Sequence, residues 1–124
     1  MTDFFSFSIL FKVLLILVAI IHLYIVTLEM FFWTTTYCRR AFGIKSLEFA
    51  EETKVLAANQ GLYNLFLVVG LICGLISDNP NIGVFFLSCV FIAGLYGAYS
   101  TKKVRILYIQ SIPAVIGLIL FALI

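Results

Sequence analysis

Four long apolar runs, parted by short polar segments, fill nearly all of this chain. A helix needs about 20 apolar residues to cross about 30 Å of hydrocarbon, and each run meets that length. They fall at about residues 8–33, 55–76, 82–100 and 104–124, with a longer polar loop over 34–54. In lipid every backbone N–H and C=O must be satisfied within the segment, so apolar runs of this length become helices. The expectation is an all-α polytopic membrane protein, a four-transmembrane-helix bundle in a single domain over 1–124, with the lipid bilayer as its partner. Composition agrees: 64% of residues are hydrophobic and 11% charged, against about 45–50% and about 25% in soluble domains. A water-soluble domain, a disordered tail and a secreted disulfide scaffold are excluded. A formal charge of +2 implies no polyanionic partner, so no nucleic acid is expected.

The first helix starts near Ser8 and ends in Phe31, Phe32 and Trp33, with Tyr37 just beyond. Aromatic rings of this kind favour the interface, while Lys12 at the other end can snorkel to headgroups. The hydrophobic stretch is too long for a signal-peptide core and no A-x-A site follows it, so it reads as a retained membrane helix. In the long loop, Ser46 precedes Leu47-Glu-Phe-Ala-Glu-Glu52 and is a candidate N-cap. The acidic residues after it suit the helix dipole, so an interfacial turn running on into helix two is expected. Ser77-Asp-Asn-Pro-Asn81 is a tight turn, and Thr101 to Arg105 is a second short loop. Pro113 lies mid-helix, cannot donate to the carbonyl of Ile109, and predicts a kink.

Basic residues set the topology. Arg39, Arg40, Lys45 and Lys54 lie in the first loop, Lys102, Lys103 and Arg105 in the third, and Lys12 alone near the other face. The positive-inside rule then places loops 34–54 and 101–105 in the cytoplasm and both termini outside, in the cell membrane. Small-residue motifs predict close packing: Gly70-x-x-x-Gly74, Ala93-x-x-x-Gly97 and Gly94-x-x-x-Ala98. Without a hydrophobic drive in lipid, such residues let backbones approach. Packing of helices two and three within one chain is preferred over a homo-oligomer seam. The cysteines, Cys38, Cys73 and Cys89, form no CxxC pair; Cys73 and Cys89 sit in apolar runs as small hydrophobes.

Polar groups inside a bilayer are costly and mark functional candidates. Helix one carries His22, Thr27 and Glu29; helix two Asn59, Gln60, Tyr63 and Asn64; helix three Ser88, Tyr96 and Tyr99; helix four Tyr108, Gln110 and Ser111. With interfaces at Trp33 and Val55, Glu29 lies about 6 Å deep and Asn59 and Gln60 about 6–8 Å. His22 and Asn64 lie deeper, at about 16 and 14 Å. Glu29 is therefore expected to face Asn59 or Gln60, and His22 to face Tyr63 or Asn64. The polar set gathers toward the cytoplasmic half, which suggests a polar cavity there. Glu29 and His22 are the candidate acid–base residues; Asn59, Gln60, Tyr63, Asn64, Tyr96 and Gln110 are the candidate ligand-binding residues. The structural alternative pairs Glu29 with Arg39, Lys54 or Lys103 and leaves His22 as a neutral, hydrogen-bonded imidazole. His22 and Glu29 stand about 10 Å apart along the helix, so no metal site is expected.

The strings His22-Leu-Tyr-Ile-Val-Thr-Leu-Glu29-Met-Phe-Phe-Trp33, Phe42-Gly43, Thr53-Lys-Val-Leu-Ala-Ala-Asn-Gln-Gly-Leu-Tyr-Asn64, Ala93-Gly94-x-Tyr96-Gly97 and Gln110-x-x-Pro113 together resemble a known family. It is the group of small bacterial and fungal membrane proteins called domain of unknown function 1304. The resemblance covers nearly the whole chain. It implies four membrane helices and no assigned activity. Ala57 to Asn64 also resembles, more faintly, the helix-two motif of membrane-associated glutathione and eicosanoid enzymes. There the family's glutamate would fall on Tyr63, and its arginine pattern is not evident.

Function stays open among three classes. The first is a bundle that binds or converts a lipophilic small molecule in a polar cavity of the cytoplasmic half. The second is a small proton-coupled transporter, and the third a structural or accessory membrane protein. No Walker motif, haem-attachment motif, nucleophile elbow or HExxH pattern is present. The residues do not choose between enzyme and binding protein, and they name no cofactor.

Overall fold

The computed structural model describes the backbone of residues 2–77 and 79–124, and side chains from Ser8 onward except Asp78. All its regular elements are helices: α1 (Thr2–Phe31), α2 (Thr36–Phe42), α3 (Leu47–Ile76), α4 (Pro80–Thr101) and α5 (Val104–Ala122). Among the described residues, four helices are long and apolar enough to cross a membrane, namely α1 from Ser8, α3, α4 and α5. The all-helical, four-span architecture read from the apolar runs is what is observed.

Local sequence explains most helix ends. Ser46 caps α3, its Oγ accepting from the Phe49 N–H at 3.0 Å. Asn79 caps α4 by accepting from the Asn81 N–H at 3.1 Å, and Pro80, whose missing donor is harmless in a first turn, opens that helix. The α4–α5 connection is shorter than Thr101 to Arg105. Lys102, in a left-handed conformation at φ 58°, and the extended Lys103 turn the chain, and α5 starts at Val104. Non-glycine residues adopt that region at a cost of roughly 1–2 kcal/mol.

Two segments differ from expectation. The loop over 34–54 holds a further helix, α2. Thr35 accepts from the Cys38 N–H at its start, and Gly43, at φ 66°, ends it in a left-handed cap. Pro113 does not produce a simple kink. The helix widens just before it into a π-helical turn over Leu107–Ser111, with the Ile112 N–H bonded five residues back to the Leu107 carbonyl. The wide turn absorbs the misfit between the proline ring and the preceding carbonyls.

The chain forms two compact units, Met1–Ile21 with Leu67–Ile124, and His22–Phe66. In the first, the small-residue motifs are seams within one chain. A Cβ on Gly70 would strike the Phe86 ring, and one on Gly74 would lie 2.6 Å from the Gly83 nitrogen. Gly70 and Gly74 thus bring α3 against α4, as the spacing predicts. Gly94 and Gly97 instead serve the α4–α5 contact, facing Ser111 and Ile106. The π turn sets Ser111 over Gly94, where its hydroxyl donates to the Phe91 carbonyl at 3.0 Å. Leu15, Leu71, Leu87, Val90 and Ala114 are fully buried in this unit.

Candidate functional site

The second unit, residues 22–66, carries the buried polar residues His22, Glu29 and Asn64. Its frame is the end of α1, the short α2 and the first two-thirds of α3. The α1 helix ends at Phe31, and a turn in which the Thr35 N–H bonds the Phe32 carbonyl reverses the chain. The α2 helix then folds back along α1. The Tyr37 and Tyr24 hydroxyls meet, and the Cys38 thiol, completely buried, points to the Leu28 carbonyl at 3.7 Å. Trp33 fastens α1 to α3 by donating from Nε1 to Thr53 Oγ1 at 3.0 Å, and its ring packs 5.1 Å from Phe42.

Glu29 lies where these three elements converge. It is 5% exposed. Asn64 Nδ2 on α3 donates to its Oε1 at 2.9 Å. Gly61, one turn earlier, allows the close approach: a Cβ there would stand 2.4 Å from Met30 Cγ and 3.3 Å from Glu29 Cβ. Cys38 closes the site from α2. Burial pushes its thiol above the usual range, and the charge of Glu29 pushes in the same direction.

The register differs from the depth estimate made on the sequence. Asn64 meets Glu29, while Asn59 and Gln60 are exposed. The cause is the length of α3. At 30 residues it is about 45 Å long, well beyond a hydrocarbon core of about 30 Å. Its first turns, with Glu48, Glu51, Glu52 and Lys54, are therefore the excess. Moving the interface from Val55 toward Asn59 brings Asn64 level with Glu29 and leaves Asn59 and Gln60 at the edge.

The structural alternative for Glu29 needed a basic partner, and none of residues 22–66 supplies one. Lys54 pairs with Glu51 at 3.0 Å. Arg39 donates to the Thr34 carbonyl and the Thr36 hydroxyl, and Lys45 lies over the Phe49 ring.

The remaining candidates differ in burial. His22 is 1% exposed on α1, two turns before Glu29. Tyr63 and Tyr96 are 62% and 69% exposed. Gln110 is half-buried within the π turn of the other unit. Among the described residues no cluster of His, Cys, Asp and Glu has metal-binding geometry. Reading the sequence missed Cys38 and Gly61 as parts of the site. The signal for Cys38 was the Thr35-x-x-Cys38 spacing closed by Gly43, a short capped helix inside an apparent loop.

Fold and site define a class: an all-helical chain with four helices of membrane-crossing length and one buried carboxylate–amide pair. The chain belongs to the family described as "Protein of unknown function (DUF1304)", whose model matches residues 16–122. That stretch takes in Glu29, Cys38, Gly61 and Asn64, and part of every long helix. No curated protein and no solved structure matches the chain.

Proposed function

We propose that this chain is a multi-pass membrane protein that binds or converts a lipophilic small molecule at Glu29, with Asn64 as the positioning residue. The carrying observation is the Glu29–Asn64 pair itself, a carboxylate almost out of reach of solvent and held by a neutral amide rather than by a cation. Interhelical polar contacts that only hold helices together contribute about 0.6–2 kcal/mol, and a neutral pair does that without an ionisable group. Retaining an ionisable group at such a place is the mark of a ligand or proton site. His22, buried two turns deeper on the same helix, is the second acid–base candidate.

The seven basic residues of segments 34–54 and 101–105, against Lys12 alone at the other end, support a cytoplasmic position for those segments and an outside position for both termini. Glu29, about one turn from Trp33, then belongs to the cytoplasmic half. A ligand that partitions into the inner leaflet reaches that depth without crossing the bilayer.

The test is native mass spectrometry of the detergent-released protein, wild type beside Glu29→Gln. A small hydrophobic molecule retained by wild type and lost from the variant supports a ligand site. Identical bare masses in the two forms remove the proposal; a variant of lowered stability then makes Glu29 a structural residue, and one of unchanged stability leaves it neither role.

A further inference from the structure

The acceptor chemistry left over at the Glu29–Asn64 pair specifies what kind of molecule fits it. Glu29 has two carboxylate oxygens. Oε1 is engaged by Asn64 Nδ2 at 2.9 Å, and no hydrogen bond reaches Oε2. Asn64, 7% exposed, spends its amide nitrogen on Glu29, and its Oδ1 accepts nothing. Yet among the described residues no enclosed side-chain nitrogen or oxygen lacks a partner. Oε2 and Oδ1 are therefore not wholly enclosed by the protein; each keeps a little exposed area in residues that are otherwise buried. The pair offers two acceptors and a carboxylate charge.

The neighbours add no competing donor or cation from residues 22–66. Cys38 directs its thiol to the Leu28 carbonyl. Gly61, with no side chain of its own, adds no polar group beside the Glu29 Cβ. The basic side chains of α2 and of the first turns of α3 are engaged elsewhere or stand on the exposed face. In a medium of low dielectric, an unpaired acceptor set of this kind is matched by a donor carrying positive charge.

We propose that the ligand of this site is a lipophilic amine, bound as its ammonium with N–H donors to Glu29 Oε2 and Asn64 Oδ1. This rests on the ligand-site reading above and names its substrate class. An amine suits the location because its neutral form partitions into lipid. No covalent step is involved: either the ammonium enters directly, or the neutral amine takes the proton of the Glu29 carboxyl. Charge balances in both cases. A fatty carboxylate would place two anions together, and an alcohol would bring a single neutral donor.

Three probes with the same tail isolate the head group: dodecylamine, dodecanol and dodecanoate, each added to the full chain in lipid nanodiscs and read by native mass spectrometry. Wild type is expected to retain dodecylamine about tenfold or more over dodecanol, the ratio falling to about one in Glu29→Gln. Equal retention of amine and alcohol by wild type, or an amine preference that survives in Glu29→Gln, overturns the proposal. Glu29-dependent retention of dodecanol or dodecanoate instead overturns the amine class but leaves a ligand site standing. Loss of any Glu29-dependent binding removes both readings.

Since Glu29→Gln can disturb folding, a second measurement uses wild type alone. Dicyclohexylcarbodiimide, which modifies carboxyl groups accessible from lipid, is expected to label Glu29. Dodecylamine should protect it, and dodecanol should not. Labelling unaffected by dodecylamine counts against the proposal.

Discussion

Alanine at Gly74 and alanine at Gly97 make the same chemical change in two helices and should have opposite consequences. At Gly74 the new methyl group would lie 2.6 Å from the Gly83 nitrogen and 2.8 Å from its Cα. Ordinary contact begins near 3.4 Å, so α3 and α4 must part by about 0.8 Å (3.4 less 2.6) or slide. No rotamer relieves a clash with backbone. The upper end of the overpacking range, about 3 kcal/mol, then applies, and the better helix propensity of alanine returns about 1 kcal/mol. The net loss is about 2 kcal/mol, roughly 30-fold in the folding equilibrium. At Gly97 the nearest atom is the Ile106 Cγ2 methyl at 3.3 Å, a side-chain atom that has to yield by only a few tenths of an ångström. There the propensity gain dominates, and stability is unchanged or raised by up to about 1 kcal/mol. Reversible unfolding in mixed micelles, followed by circular dichroism, measures both. A Gly74→Ala protein within about 0.5 kcal/mol of wild type, or equal losses in the two variants, refutes the helix–helix seam described here.

Further outcomes follow from single contacts. Asn64→Leu removes the donor to Glu29 Oε1 and should cost about 1–3 kcal/mol in the same unfolding assay. Asn59→Ala and Gln60→Ala, both exposed, should stay within about 0.5 kcal/mol. Ser46→Ala deletes the cap of α3 and should lower stability by about 1 kcal/mol, with faster amide exchange confined to the first turn after Ser46. Cys38 has a raised thiol pKa, so less thiolate is present at any given pH. Its alkylation by iodoacetamide, followed by mass spectrometry, should rise at higher pH in the folded chain than in the detergent-unfolded chain, and coincident profiles would contradict the buried position of Cys38.

What the sequence discloses depends on how local the cause is. Helix identity needs only apolar length, and the Ser46 cap needs only a side-chain oxygen next to its own helix, so both were legible; Asn79 was legible only as part of a tight turn. The α2 helix was missed although Thr35 and Gly43 mark its two ends, because the arginines between them read as loop. The Glu29–Asn64 pairing was placed one turn wrong because depth was counted from an assumed interface at Val55. The polar first turns of α3 lengthen the helix beyond what a membrane span needs, and nothing within those turns marks where an apolar span would begin. The π turn before Pro113 was not legible either. It depends on Ser111 fitting against Gly94 and the Phe91 carbonyl in another helix, and proline alone predicts only a missing hydrogen bond.

The central claim is that Glu29 faces an accessible ligand site rather than a closed core. Photolabelling tests it most directly: the protein in nanodiscs is irradiated with an alkyl diazirine, and the modified residues are mapped by mass spectrometry with and without excess unlabelled lipophile. The account predicts modification at Glu29 or Asn64 that excess lipophile suppresses, while any labelling of the exposed Glu51 and Glu52 is unaffected. Labelling confined to the outward side chains, such as Leu62 and Phe66, with none at Glu29 or Asn64 open to competition, would contradict it.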